Sequence, residues 1–114
     1  IASEEIQYPE IARCHVMRGA EVFVHSTSEV GSPLMTTKEI ARRARAAENQ
    51  AYLFLASRAD TGSPSLFVAP DGRVLARREE EGLLVAEPDW GFLEAYRKKY
   101  PLLRHRREEL YRLW

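Results

Sequence analysis

The first thirty residues, Ile1 to Val30, leave this chain few ways to fold. A short apolar strand start runs into Ser3-Glu4-Glu5, Tyr8-Pro9-Glu10 opens a helix that Gly19 ends, and Glu21-Val22-Phe23-Val24-His25 is a second apolar run. Strand, acidic turn, helix and strand in that order make a βαβ unit. Such a unit places polar side chains at the C-terminal end of a strand, where open α/β sheets tend to hold their chemistry. Pro9 suits the first helical position because its missing N–H would be unsatisfied there anyway, and the charge of Glu10 suits a helix N-terminus. Ile11, Cys14, Val16 and Met17 alternate with polar Arg13, His15 and Arg18, as on a surface helix with one wet side, and Cys14 reads as a buried helix cysteine. The second run is β-branched or aromatic and too short for a helix, so it reads as a buried strand, which Ser26-Thr27-Ser28 leaves as a polar loop.

The rest of the chain extends this pattern and then changes it. Gly31-Ser32-Pro33 breaks the chain, and Thr36 with Glu39 forms a capping box that opens a helix through about Asn49. Ala41, Ala44, Ala46, Ala47 and Ala51 keep that helix small-sided, able to approach a neighbouring backbone closely. Ala51 to Ala56 is another apolar strand, and Arg58 to Pro64 a loop rich in turn formers. The period then changes. Ser65 to Ala69 and Arg73 to Arg77 flank Pro70-Asp71-Gly72 as a hairpin, so the sheet turns antiparallel. Glu79-Glu80-Glu81-Gly82 is a solvated turn before a last expected strand, Leu83 to Ala86. Asp89 caps a helix to about Tyr100, stopped by Pro101. The tail, residues 101–114, mixes charges with Leu103, Leu110, Tyr111, Leu113 and Trp114. It either docks on another surface, such as a second subunit, or folds back on its own sheet. The fold class expected is α/β (α+β), a mixed sheet in one domain.

Bulk properties narrow the partners. With 114 residues, 45% hydrophobic, one domain with a modest core is expected. Seventeen basic and seventeen acidic residues cancel, so no field draws the chain to nucleic acid or an anionic membrane. Apolar runs fall far short of the roughly 20 residues of a membrane span. A single cysteine excludes an internal disulfide and points to a reducing, cytoplasmic setting.

Few residues carry chemistry. Cys14 and His15 are helix neighbours and do not face each other. The three histidines show no metal-ligand spacing, no glycine-rich phosphate loop is present, and neither a metal nor a cofactor is expected. The Ser3-Glu4-Glu5 turn is the exception, a nucleophile beside carboxylates at a strand end. A serine needs a base, and no histidine is near it in sequence.

Several ordered motifs carry a resemblance. Tyr8-Pro9-Glu10-Ile11-Ala12-Arg13 with Met17-Arg18-Gly19-Ala20-Glu21-Val22 resembles the nucleophile region of the nitrilase superfamily, the carbon–nitrogen hydrolases that include amidases. Arg43-Ala44-Arg45-Ala46-Ala47-Glu48-Asn49-Gln50-Ala51-Tyr52 is similar to that family's arginine, alanine, glutamate-asparagine run before a strand. Ser65 through Pro70-Asp71-Gly72 to Ala76 resembles its closing hairpin, and Gly82 to Glu87 with the following helix and the Leu110-Tyr111 tail completes the order. The resemblance implies half of a four-layer αββα sandwich with helices on one sheet face. It also implies dimerisation and hydrolysis of a small non-peptide amide or nitrile through a cysteine thioester.

The departures are as informative. The family's cysteine lies six residues before the proline of its Phe/Tyr-Pro-Glu motif, and that position here is Ser3. The family's catalytic glutamate and lysine come from segments before that strand. The expectation is therefore that residues 1–114 are the C-terminal part of one carbon–nitrogen hydrolase domain, completed by an N-terminal half outside this chain, and that activity is lost or impaired. Ser3 is the catalytic candidate; Glu4, Glu5 and Ser28 are candidates for substrate contact. The alternative is a non-catalytic relative that binds a ligand or serves oligomerisation through its tail.

Overall fold

The computed structural model describes residues 1–28 and 35–111. Helix α1 (Pro9–Met17) leads to β1 (Val22–Thr27), helix α2 (Met35–Asn49) to β2 (Tyr52–Ser57), then β3 (Ser65–Val68), β4 (Val74–Arg78) and helix α3 (Trp90–Lys99). The sheet runs β1-β2-β3-β4, with β1 and β2 parallel and the next two pairs antiparallel. This is the mixed sheet expected. Residues 1 and 2 extend it on the far side of β1: Ala2 bridges Ser26 in parallel, and the Ile1 nitrogen donates to the Val24 carbonyl at 3.0 Å.

Alternation along the strands sorts the side chains into two faces. Phe23, Leu53, Leu55, Leu66 and Val68 face α1 and α2 and pack with Ile6, Ala12, Val16 and Ala46. On the other face Tyr52 and Phe67 meet Leu93 of α3, which covers one end of the sheet. Beyond it Val24 is 69% exposed and Phe54 half-buried. Helices α1 and α2 lie on one face, as the resemblance implies, whereas the expected third helix, α3, caps the end of the other face.

The small-sided α2 does what its alanines allow. The β3–β4 turn presses on it so closely that a Cβ at Gly72 would lie 3.2 Å from the Ala47 Cβ, and Arg43 Nε donates to the Gly72 carbonyl at 2.8 Å. Gly72 also has φ +87°, a left-handed conformation that only glycine adopts freely. Gly72→Ala is expected to lower stability by about 1–2 kcal/mol, from backbone strain and the crowded approach together. A urea midpoint unchanged from wild type would contradict this.

Tyr52 ties α3 to the sheet. Its hydroxyl donates to the Asp89 carbonyl and accepts from the Asp89 amide, each at 3.0 Å, while the Asp89 carboxylate caps α3 through Phe92 N at 2.9 Å. Burial pushes the Tyr52 phenol above its ordinary value, against the pull of the hydrogen bond to Asp89. A phenol with a raised folded pKa contributes stability that is complete below the unfolded pKa, about 10, and is lost as pH rises through the folded one. Tyr52→Phe is thus expected to cost about 1–2 kcal/mol at neutral pH. That gap should narrow above pH ~10, measured by urea unfolding of both proteins at neutral and alkaline pH.

Several expectations need correction. Leu83 to Ala86 is not a strand: Leu83 and Val85 are 79% and 75% exposed. Arg78 donates to the Glu80 and Glu81 carbonyls, a tight local turn that carries the chain off the free edge of β4. Cys14 is exposed, because Ala12 and Val16 take the core-facing line and a residue two places from each points about 200° away. Strand β1 runs on through Thr27, which is buried, so only Ser28 of the expected polar loop lies beyond it. Helix α2 begins at Met35, with Thr36 already inside its first turn, and Glu39 accepts from Arg77 at 3.2 Å rather than reaching back to a cap. The Gly31-Ser32-Pro33 break and Leu113 and Trp114 lie outside the described residues. Of the tail, Leu103 folds back onto the core while Leu110 and Tyr111 stay exposed. No helix among the described residues is long and apolar enough to cross a membrane.

Candidate active site

Ser3 stands where the chain turns from the short strand of residues 1 and 2 into a 3-10 turn, Ser3–Gln7. Its φ is +37°, a conformation that disfavours any residue with a Cβ. Strain of this kind persists only where its surroundings enforce it, and it concentrates at functional sites. Three groups enforce it here. Ile6 is wholly buried and anchors the turn in the core. The Glu5 carboxylate folds back to accept from Ala2 N at 2.9 Å. Arg45 of α2 donates from Nε to the Ile6 carbonyl at 3.0 Å and from Nη2 to the Gln7 carbonyl at 3.4 Å.

The strand leading into the turn is held from the β1 side. His25 is fully buried, with Nδ1 3.1 Å from the Ile1 carbonyl. A carbonyl oxygen only accepts, so that nitrogen carries the proton. Lys38, 1% exposed, brings Nζ to 3.9 Å from Glu4 Oε1.

The expected site residues thus have different surroundings. Ser3 is half-buried at the elbow, Glu4 is exposed and faces Lys38, Glu5 is occupied by the backbone, and Ser28 lies exposed beyond the end of β1. The parallel register sets Thr27 against Ser57, so the ends of residues 1 and 2, β1 and β2 form one edge lined with hydroxyls. Beside Ser57 an open depression of about 400 Å³ is bordered by Arg58, Asp60, Ser65, Glu80 and Glu81. The hydrogen bonds from Arg58 hold the Asp60 carboxyl below the usual carboxylate range. Sequence reasoning missed His25, Lys38 and Arg45 as supports of the elbow. Their contacts span many residues, and only the arginine run in the family resemblance gave a signal for one of them.

The architecture is thus a mixed α/β sheet with two helices on one face and a strained, hydroxyl-bearing turn at the C-terminal edge of its parallel strands. The carbon-nitrogen hydrolase family model matches residues 3–98, and the chain belongs to that family. It is 38% identical over 121 residues to a chloroplastic omega-amidase of Arabidopsis thaliana, covering 96% of this chain and 32% of that protein. It is 34% identical over 116 residues to the deaminated glutathione amidase of Bos taurus, covering 94% and 35%. An amidase mutant from Nesterenkonia, solved with the acetamide moiety of fluoroacetamide covalently added at its active site cysteine, superposes with a TM-score of 0.79 at 27% identity. That match covers 100% of this chain and 42% of the solved one. The chain spans about a third of the length of these curated relatives.

Proposed function

We propose that the protein carrying this chain is a carbon–nitrogen hydrolase of amidase or nitrilase type, acting on a small non-peptide amide or nitrile, with Ser3 in the nucleophile position. The observation that carries this reading is the enforced left-handed elbow at Ser3, at the end of a strand paired with β1. For an amide, Ser3 Oγ attacks the carbonyl carbon and loses its proton to a base. The tetrahedral oxyanion collapses as the leaving nitrogen takes that proton from the base and departs as ammonia, and water then hydrolyses the acyl ester and frees the serine. Serine is a weaker nucleophile than a thiolate near neutral pH, so activity is low in this form. Glu4 and Ser28 flank the elbow as substrate contacts, whereas Glu5 acts through the backbone it caps.

The same reading makes residues 1–114 the C-terminal part of one domain. The partly uncovered face around Val24 and Phe54 receives the N-terminal half, which brings the glutamate and lysine. The exposed Leu110 and Tyr111 of the tail serve homo-oligomer contacts, and the protein works in the cytoplasm without nucleic acid or membrane partners. Family membership and the amidase names of the relatives support hydrolysis over a purely ligand-binding role. Ammonia release from a panel of small amides and nitriles is the test. Turnover that Ser3→Ala abolishes is expected, and silence across the panel even after Ser3→Cys would overturn the reading.

A further inference from the structure

At the end of the sheet opposite Ser3, a cleft of about 290 Å³ opens between α3, the tail and the junction of α2 with β2, bordered by Gln50, Arg97, Lys98, Pro101, Leu103 and Arg104. Its floor is rigid. Gln50 sits at φ +47°, and its side chain donates to the Tyr100 carbonyl at 2.7 Å. Arg97 Nε donates to the Gln50 carbonyl at 2.8 Å and its Nη2 to the Ala20 carbonyl at 3.3 Å. These bonds lock α3 to the start of β2 and leave Nη1 of Arg97 uncommitted among the described residues. Burial holds the Arg97 guanidinium below its ordinary value, although Glu21 pulls the other way.

The walls are cationic and, unlike several other cations among the described residues, not engaged in ion pairs. Arg58, Arg73, Arg77 and Arg107 each meet a carboxylate. Lys98 and Arg104 make no ion pair or hydrogen bond among the described residues. The macrodipole of α3 accounts for a cation such as Lys98 in its last turn. It does not account for Arg104, which the tail brings to the cleft from outside the helix. Glu21 and Glu94 border an adjoining cavity together with Arg97, and Glu21 acts electrostatically on Arg97, so the charge offered to a ligand comes chiefly from Lys98 and Arg104. Those two charges exceed the roughly one unit of negative charge that the C-termini of α2 and α3 contribute together.

We propose that this cleft binds a small phosphorylated molecule, with the phosphoryl group between Arg97, Lys98 and Arg104 and the organic part against Pro101 and Leu103. The arginine fork of one residue satisfies a single carboxylate, whereas donors converging from three side chains match the several oxygens of a phosphoryl dianion. Pro101 and Leu103 supply the apolar wall, and Leu103 is itself packed on the core. The site is remote from the elbow and does not depend on the hydrolase reading.

Titration calorimetry of the intact protein with inorganic phosphate, phenyl phosphate and acetate tests this. Saturable binding of both phosphates is expected, tighter for phenyl phosphate, with acetate weaker than either. The paired substitution Lys98→Gln and Arg104→Gln, at exposed positions and checked for an unchanged circular dichroism spectrum, should weaken phosphate binding at least tenfold. Leu103→Ala should remove the preference for phenyl phosphate. No saturable binding of either phosphate, or equal affinity in the paired variant, would overturn the proposal, and acetate binding as tightly as phosphate would overturn its ligand class.

Discussion

Arg45→Ala is expected to lower the stability of this fold by about 3 kcal/mol, as for removing one member of a buried charged network. Arg45 is 8% exposed, and its guanidinium serves three acceptors: the Ile6 carbonyl at 3.0 Å, the Gln7 carbonyl at 3.4 Å and Glu48 Oε1 at 2.7 Å. Alanine removes the donors and leaves the acceptors in place, two of them backbone oxygens of the turn that carries Ser3. Lysine is a single-point donor and cannot span the same three positions, so Arg45→Lys should recover only part of the loss. Urea unfolding with an unchanged slope gives the number, and a loss below about 1 kcal/mol would show that the network does not hold the elbow.

How much of this was legible in the sequence follows from the range of each interaction. The hairpin at Pro70-Asp71-Gly72 and the Asp89 cap are fixed within four residues, and both stand where local chemistry puts them. The parallel pairing of β1 with β2 and the antiparallel turn of the sheet at the hairpin agree with the alternating strand and helix patterns and the tight turn read there. The expectation at Leu83 to Ala86 failed because an apolar run becomes a strand only beside a partner. Cys14 was misplaced because the apolar residues of α1 are too many for one stripe, and only the packed structure shows which line is buried. At the site, the serine and its carboxylates were visible as residue types. Glu5 turns back to Ala2 within three residues, but the placing of Glu4 against Lys38 and the roles of His25 and Arg45 depend on contacts across 24 to 39 residues, which no local pattern encodes.

Ser3→Cys should raise amide hydrolysis by about 10²–10⁴-fold in the protein that carries the family's glutamate and lysine segments. That is the contribution a positioned general base makes when a nucleophile must be deprotonated in the step itself, and a thiolate already formed does not require it. The structure separates this chemical effect from a structural one. Serine and cysteine are both unbranched at Cβ and fit φ +37° equally, so the substitution should leave stability within about 0.5 kcal/mol. Glycine is the opposite case. Ser3→Gly relieves the left-handed strain and should stabilise the fold by about 1 kcal/mol, yet it removes the attacking atom and should be inactive. Activity rising with cysteine at constant stability, and vanishing with glycine as stability increases, is the pattern of an elbow whose strain serves to present a nucleophile. If glycine destabilised the chain, the turn would be held by the Ser3 side chain itself and the strain would have another origin.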